Sequence, residues 1–269
     1  MNELQPLVFI TGASSGIGQA LALRYHQAGW RLALVARRLE PMQAWAQAQS
    51  LAADQYRLFP ADVSDNTSII GAAEQCLAEW GLPQVVIANA GISQGMDTAE
   101  RKDLAVLQRV MATNNFGLAA TFHPFIRPMQ AQASTPGSLP FTLVGIASVA
   151  GIRGLPGHAA YCASKAAVIS YCESLRGELR GSRGKQGVRV VTIAPGYVAT
   201  PLTSRNKYPM PFLMTPEAFA AQAFKTISAG ASYSVIPWQM GVVAKILRVL
   251  PNSWFDRLLR GQPRKHREP

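Results

Sequence analysis

Leu7, Val8, Phe9 and Ile10 form an apolar run that passes without a break into Thr11-Gly12-Ala13-Ser14-Ser15-Gly16-Ile17-Gly18. A helical pattern follows at once, carrying Ala20, Leu21, Leu23, Arg24 and Tyr25 to about Ala28. Few folds accept that order. The run has the uninterrupted hydrophobicity of a strand buried on both faces, as in parallel sheets. A strand, a glycine turn and a helix in succession aim backbone N–H groups and the positive helix end at one point, and a pyrophosphate suits that point. Gly12 permits the tight turn, while Gly16 and Gly18 let phosphate and backbone approach closely. Ser14, Ser15 and Ile17 complete the loop.

The rest of the chain keeps the same alternation. Further strands read at residues 31–36, 56–60, 85–88, 141–147 and 188–194, with a shorter one at 233–236. Helices read at 40–51, 66–80 and 100–125, and another carries Tyr161. This rhythm predicts an α/β fold, a doubly wound parallel Rossmann-like sheet of about seven strands in a single domain with a C-terminal helical extension. Residues 1–240 are expected to form a dinucleotide-binding catalytic domain and 241–269 a basic amphipathic extension. Residues 132–140, rich in Ser, Pro and Gly, read as a surface loop. Tyr208-Pro-Met-Pro-Phe-Leu-Met214, near the end of a stretch at 200–215, is apolar and broken by proline. It suits a lid over an apolar substrate, and equally a core-facing loop.

The second strand ends in Arg37-Arg38, about 20 residues beyond the glycine loop, where dinucleotide folds meet the adenosine ribose. An acid there grips the 2′-hydroxyl of NAD, whereas an arginine accommodates the 2′-phosphate of NADP. With no acid present, Arg37 and the loop serines argue for NADP, with NAD the weaker candidate. Asp62-Val63 follows the third strand; Asp62 accepts from an adenine amino group, starts a turn, or caps the next helix. Asn89-Ala90-Gly91 follows the fourth, with Asn89 expected to tie neighbouring strands beside the cofactor. Pro195-Gly196 closes the sixth, with Val198 and Thr200 just beyond.

Tyr161-Cys-Ala-Ser-Lys165 places a phenol and an ammonium four residues apart, with Cβ atoms roughly 6 Å from each other on one helical face. Free tyrosine ionises near pH ~10, so acid/base work at neutral pH calls for a lowered pKa. A close cation supplies that shift. Ser148, after the 141–147 strand, could share the same substrate oxygen. Together Tyr161, Lys165 and Ser148 read as a carbonyl-polarising, proton-donating site. Asn114, in the helix at 100–125, is a polar group that must be bonded if buried. It either holds a water feeding protons toward Lys165 or bonds back to its own helix.

Composition limits the alternatives. No run reaches the ~18 apolar residues of a spanning helix, and the N-terminus has no basic region followed by an apolar one, so a cytoplasmic protein is expected. Cys76, Cys162 and Cys172 are too few and too irregular for a disulfide framework or a metal site. The formal net charge of +11 calls for an anionic partner. Residues 245–269 carry seven basic residues against Asp256 and Glu268, a net of +5. At 100° per residue Val242, Val243, Ile246, Leu247, Val249 and Leu250 fall on one side, with Lys245 and Arg248 opposite; Trp254, Phe255, Leu258 and Leu259 repeat the arrangement. Such a segment lies on an anionic membrane, on another subunit or on its own domain. No nucleic-acid recognition motif accompanies the charge, and nucleic-acid binding is not expected.

Over residues 6–200 the chain closely resembles the short-chain dehydrogenase/reductase family. The likeness rests on the glycine loop, Asp62, Asn89-Ala90-Gly91, Asn114, Ser148, Tyr161, Lys165, Pro195-Gly196 and Thr200, all in order. It implies an NADPH-dependent carbonyl reductase or alcohol dehydrogenase acting on an apolar ketone or aldehyde. By that likeness Tyr161 is the general acid for reduction and the base for oxidation. Lys165 bonds the nicotinamide ribose and lowers the Tyr161 pKa, Ser148 holds the substrate oxygen, and Asn114 anchors a proton-relay water. A homodimer or homotetramer packed through the helices of Asn114 and Tyr161 is implied as well. A non-catalytic NADP-binding sensor or scaffold of the same fold is the competing reading, although such a module would be free to lose a tetrad that this chain retains.

Overall fold

The sheet grows outward from β1 (Leu7–Thr11), whose five residues are all buried. On one side lie β2 (Arg31–Ala36) and β3 (Tyr56–Pro60); on the other lie β4 (Val85–Ala88), β5 (Thr142–Ile146), β6 (Arg189–Pro195) and β7 (Tyr233–Ile236). Every pairing is parallel, in the order β3-β2-β1-β4-β5-β6-β7. The direction of winding reverses between β1 and β4, and open α/β sheets bind ligands in the crevice beyond the strand ends at such a reversal. This computed structural model describes residues 5–133, 140–181, 187–204, 206 and 208–261. Most of the loop expected at 132–140, and the basic residues Arg264, Lys265 and Arg267, lie outside the described residues.

The two-residue alternation of β1 builds two core layers. Leu7 and Phe9 face the layer completed by α3 (Asn66–Trp80), α5 (Gly117–Ala133) and α6 (Ala159–Leu179), where Phe122, Phe125, Met129 and Val168 are buried. Val8 and Ile10 face α1 (Gly16–Gln27), α2 (Glu40–Ala48) and α7 (Pro216–Ser228), with Leu21, Tyr25, Met42 and Phe219. Cys76, Cys162 and Cys172 are free and buried.

Some expected elements change shape. The helix predicted over 40–51 stops at Ala48, because Ser50 takes a left-handed backbone with φ 54°. The helix predicted over 100–125 is α4 (Leu104–Met111), a π-helical turn at Ala112–Phe116, and then α5. α5 runs on through Pro124 and Pro128. Proline inside a helix costs about 3 kcal/mol or more, yet Phe125, Met129 and Ala133 continue a buried face, and their burial outweighs it.

The C-terminal helices α8 (Trp238–Val249) and α9 (Asn252–Leu259) pack on their own domain, the third of the placements read from sequence. They do not turn in one apolar side as expected. α8 buries Met240 and Ala244 and leaves Val242, Ile246 and Val249 exposed. The cause is close approach at two glycines: Met240 stands where a Cβ on Gly196 would be 2.8 Å from its Cγ, and Gly241 lies against Val235. That contact turns the Met240 face inward.

Candidate active site

A cavity of about 1040 Å³ opens beyond the C-terminal ends of the strands. Its dinucleotide end is built by the loop after β1, where Gly12 and Gly16 take left-handed φ values of 66° and 56°. Gly12, Ser14, Ser15, Gly16 and Ile17 line it; Gly18 does not. A Cβ on Gly18 would stand 2.2 Å from Gly12 O and 2.6 Å from Asn89 Nδ2. Gly18 therefore lets α1 pack on the loop, and phosphate approach, the use read from sequence, is not what requires glycine there.

The chemistry of the donors suits a diphosphate. Asp65 caps α3 through Thr67 N and Ser68 N, and Thr215 caps α7 through Ala218 N. At α1 the N-cap Ser15 is extended, makes no side-chain capping bond, and no acid occupies the first turn. The first amides of α1 are thus left for an anion in the cavity. Arg37 lies exposed on the cavity wall at the end of β2.

Asp62 and Val63 line the same end. Asp62 starts a turn, one of the three readings open from sequence: its Oδ1 accepts from Ser64 N at 2.9 Å and Ser64 Oγ at 2.7 Å. Burial pushes the Asp62 carboxyl up, but those two bonds and the Arg37 charge outweigh it and hold it below the usual range. The helix cap is Asp65 instead. Asn89 does tie strands, donating from Nδ2 to Thr11 O at 3.0 Å and Gly12 O at 3.2 Å. Asn89, Ala90 and Gly91 are on the wall, as are Pro195, Gly196, Val198 and Thr200 from the loop after β6. Thr200 leans on the glycine loop, 3.0 Å from where a Gly16 Cβ would be.

Ser148, at the end of β5, and Tyr161 and Lys165, early in α6, meet at the centre of the cavity. Ser148 Oγ accepts from Ala150 N at 3.1 Å, and Ser148 stands near enough to Tyr161 to lower the phenol's pKa. Lys165 Nζ lies 5.8 Å from the Tyr161 ring centroid and donates to Ile146 O at 2.7 Å. Burial pulls Lys165 down to about 8. Burial also pushes Tyr161 up to about 12, against the lowering effect of Ser148. This is opposite to the shift expected from Lys165: desolvation disfavours the phenolate more than nearby polar groups favour it. The phenol is a protonated donor at neutral pH.

Asn114 is not on the cavity wall. From the π-helical turn its Oδ1 accepts from Ile92 N at 2.9 Å, while Nδ2 donates to Ile92 O at 3.0 Å and Ser164 Oγ at 2.9 Å. The bond back to its own helix, one of the two expectations, is not made. The carboxamide ties the segment after β4 to α6, one turn from Tyr161. Asn115 reinforces the link from Nδ2 to Ser164 O at 2.9 Å.

Another part of the cavity joins the expected lid residue Tyr208 to His158 and Tyr197, which sequence reading passed over. His158 Nε2 and Tyr208 OH are 3.4 Å apart, and the Tyr197 and Tyr208 ring centroids 6.2 Å apart. Tyr208, Pro209 and Pro211 line the cavity, whereas Phe212 and Leu213 are about half exposed. The apolar, proline-broken run was the available signal for Tyr208. His158 had none beyond standing three residues before Tyr161. Met240, Val243, Ala244, Leu247, Phe255, Leu258 and Leu259 of α8 and α9 also line the cavity, as does Arg153.

A family profile described as short chain dehydrogenase matches residues 6–209. The chain belongs to the short-chain dehydrogenase/reductase family. An uncharacterized oxidoreductase of Myxococcus xanthus is 38% identical over 254 residues, covering 93% of this chain and 95% of that protein. A dehydrogenase/reductase SDR family member 7B of Bos taurus is 31% identical over 97% of this chain and 82% of its own length. A solved short-chain dehydrogenase/reductase from Burkholderia phymatum in complex with NAD superposes with a TM-score of 0.78 at 21% identity, covering 97% of this chain and 98% of that one, and shows the fold alone. As a member of the short-chain family the chain is an NAD(P)-dependent oxidoreductase acting on CH–OH groups. Among the described residues no group of acids, histidines and cysteines could hold a metal ion, and no helix is long and apolar enough to cross a membrane.

Proposed function

We propose that this protein is an NADPH-dependent carbonyl reductase of apolar ketones or aldehydes, running as an alcohol dehydrogenase in reverse. The observation that carries the proposal is the half-buried Tyr161 phenol beside Ser148 and Lys165, its pKa pushed up to about 12, in the cavity that the glycine loop opens into. When bound, the reduced nicotinamide supplies a hydride to the carbonyl carbon. Gly12, Ser14, Ser15, Gly16 and Ile17 receive the diphosphate on backbone amides, and Asp62 and Val63 border the adenine. Ala90, Gly91, Pro195, Gly196, Val198 and Thr200 border the rest of the dinucleotide, with Asn89 holding the wall in shape. Arg37, with the loop serines, meets the 2′-phosphate and favours NADP over NAD.

Ser148 and Tyr161 donate hydrogen bonds to the substrate oxygen. As negative charge builds there, the Tyr161 proton passes to it, and the alkoxide is neutralised where it forms. Lys165 stabilises the phenolate left behind and bonds the cofactor ribose. Asn114 keeps Tyr161 and Lys165 in place by joining α6 to Ile92. A homo-oligomer packed through α4, α5 and α6 is part of the reading, supported by the exposed Leu104 on α4, Phe116 on the π-helical turn and Tyr171 on α6.

Tyr161→Phe is the test. NADPH oxidation with a panel of ketones should fall at least about 100-fold, while NADPH binding, followed by nicotinamide fluorescence, stays within a factor of about two. Undiminished turnover would remove Tyr161 from the chemistry, and a parent that turns over no ketone would favour the non-catalytic sensor.

A further inference from the structure

α8 is apolar almost all round. Its inner side, with Met240, Val243 and Leu247, walls the cavity, while Trp238, Val242, Ile246 and Val249 form an outer stripe at i, i+4, i+8 and i+11. Val249 is 81% exposed, Trp238 70%, and Trp254 on α9 68%. Isolated apolar residues on a surface need no explanation, but this many on two consecutive helices make a patch that calls for a partner.

Charge identifies the partner. Lys245, Arg248, Arg257 and Arg260 are exposed beside the patch, and Asp256 is the only acid from 238 to 261. A second copy docked about a two-fold axis would present the same cationic patch to itself. An anionic bilayer meets it with opposite charge, and the two tryptophans suit the headgroup boundary. The cavity also reaches this face: Leu258, 55% exposed, is at once part of the patch and part of the cavity wall, next to Phe255 and Leu259. On α8 and α9 the wall inward from Leu258 is hydrocarbon, formed by Leu259, Phe255, Leu247 and Val243, with Arg153 stacked on Phe255.

We propose that α8 and α9 dock this protein on an anionic lipid surface, and that its substrate is an amphiphile whose apolar chain enters from that surface with the carbonyl leading. The docking stands on the patch alone; the substrate class rests on the carbonyl-reductase reading.

The full chain would be floated with vesicles of phosphatidylcholine alone or of phosphatidylcholine with phosphatidylglycerol. Binding to the anionic vesicles should be at least about tenfold tighter than to the neutral ones and should weaken as salt rises. The variant Ile246→Ser/Val249→Ser/Trp254→Ser, altered outside the cavity, should lose at least about tenfold in vesicle affinity. Its thermal unfolding and its turnover of a short water-soluble ketone should be unchanged, while turnover of a long-chain ketone presented in anionic vesicles falls with binding. Equal partition to both vesicle types, or a triple variant that binds as tightly as the parent, overturns the docking. So does a parent that ignores vesicles and halves in mass on substitution, since a second copy then covers the face. Failure to reduce any ketone would refute the reductase reading while leaving vesicle binding to decide the docking by itself.

Discussion

At Tyr161 and Lys165 burial acts on two groups with opposite results. It keeps the phenol protonated, with a pKa up to about 12, and it makes the ammonium easier to deprotonate, at about 8. In the proposed reduction the phenol must be protonated and Lys165 charged, so kcat/KM for a ketone should be level below about pH 8 and fall above it as Lys165 loses its proton. A profile flat to pH 10 would remove Lys165 from the chemistry. The linked stability runs the other way. Between about pH 8 and the ordinary lysine value the unfolded chain holds more protons on this group than the folded one, so Lys165 contributes rising stability across that window. Arg37 is legible in sequence because its position relative to the glycine loop is set by one strand and one helix. Arg37→Ala should weaken NADPH binding about 10- to 100-fold and leave NADH nearly unchanged, as titration of nicotinamide fluorescence would show. Equal parent affinities for the two cofactors would contradict the assignment.

At the scale of elements, the strands were readable because burial on both faces forces continuous apolar runs, and each predicted strand lies within a residue or two of its place. The π-helical turn was not readable. Its extra residue has no compositional mark, and it turns Asn114 toward Ile92 and Ser164. Those partners are 22 and 50 residues away along the chain, out of reach of any local pattern. Asn114→Ala removes three bonds and strands buried partners, so it should cost about 2–4 kcal/mol in urea unfolding and reduce turnover as well. Tyr161→Phe, by contrast, should leave the unfolding midpoint nearly in place. If Asn114→Ala lowers turnover with no loss of stability, Asn114 acts on the reaction itself rather than by holding α6.

Across the whole molecule, Arg153 joins the loop between β5 and α6 to the C-terminal helices. Its guanidinium donates to Leu247 O, to Leu250 O at 2.7 Å and to Asn252 Oδ1 at 2.9 Å, and stacks 3.8 Å from the Phe255 ring centroid. These partners are the end of α8 and the start of α9, so one side chain fastens the substrate wall across the cavity mouth. Arg153→Ala should raise KM for a bulky ketone at least about fivefold with kcat little changed, and hydrogen exchange in α8 and α9 should quicken. Arg153→Lys should not restore them, because a single ammonium cannot serve three acceptors in a plane and a ring face. Unchanged exchange in α8 and α9 would show that the helices hold without it.

The residues themselves determined the parallel sheet, the glycine loop and the pairing of Tyr161 with Lys165, because each follows from spacing along a strand, a turn or a helix, and the order of these motifs carried the likeness to the family. Tertiary structure alone decided the direction of the Tyr161 shift, the packing role of Gly18, the attachment of Asn114 and the side on which α8 is buried. Each depends on what lies across space: desolvation by the surrounding protein, a carbonyl 2.2 Å from a missing Cβ, a backbone on another element, a methionine seated on Gly196. Local sequence sets what a segment can bury, and distant contacts select which part of it is buried.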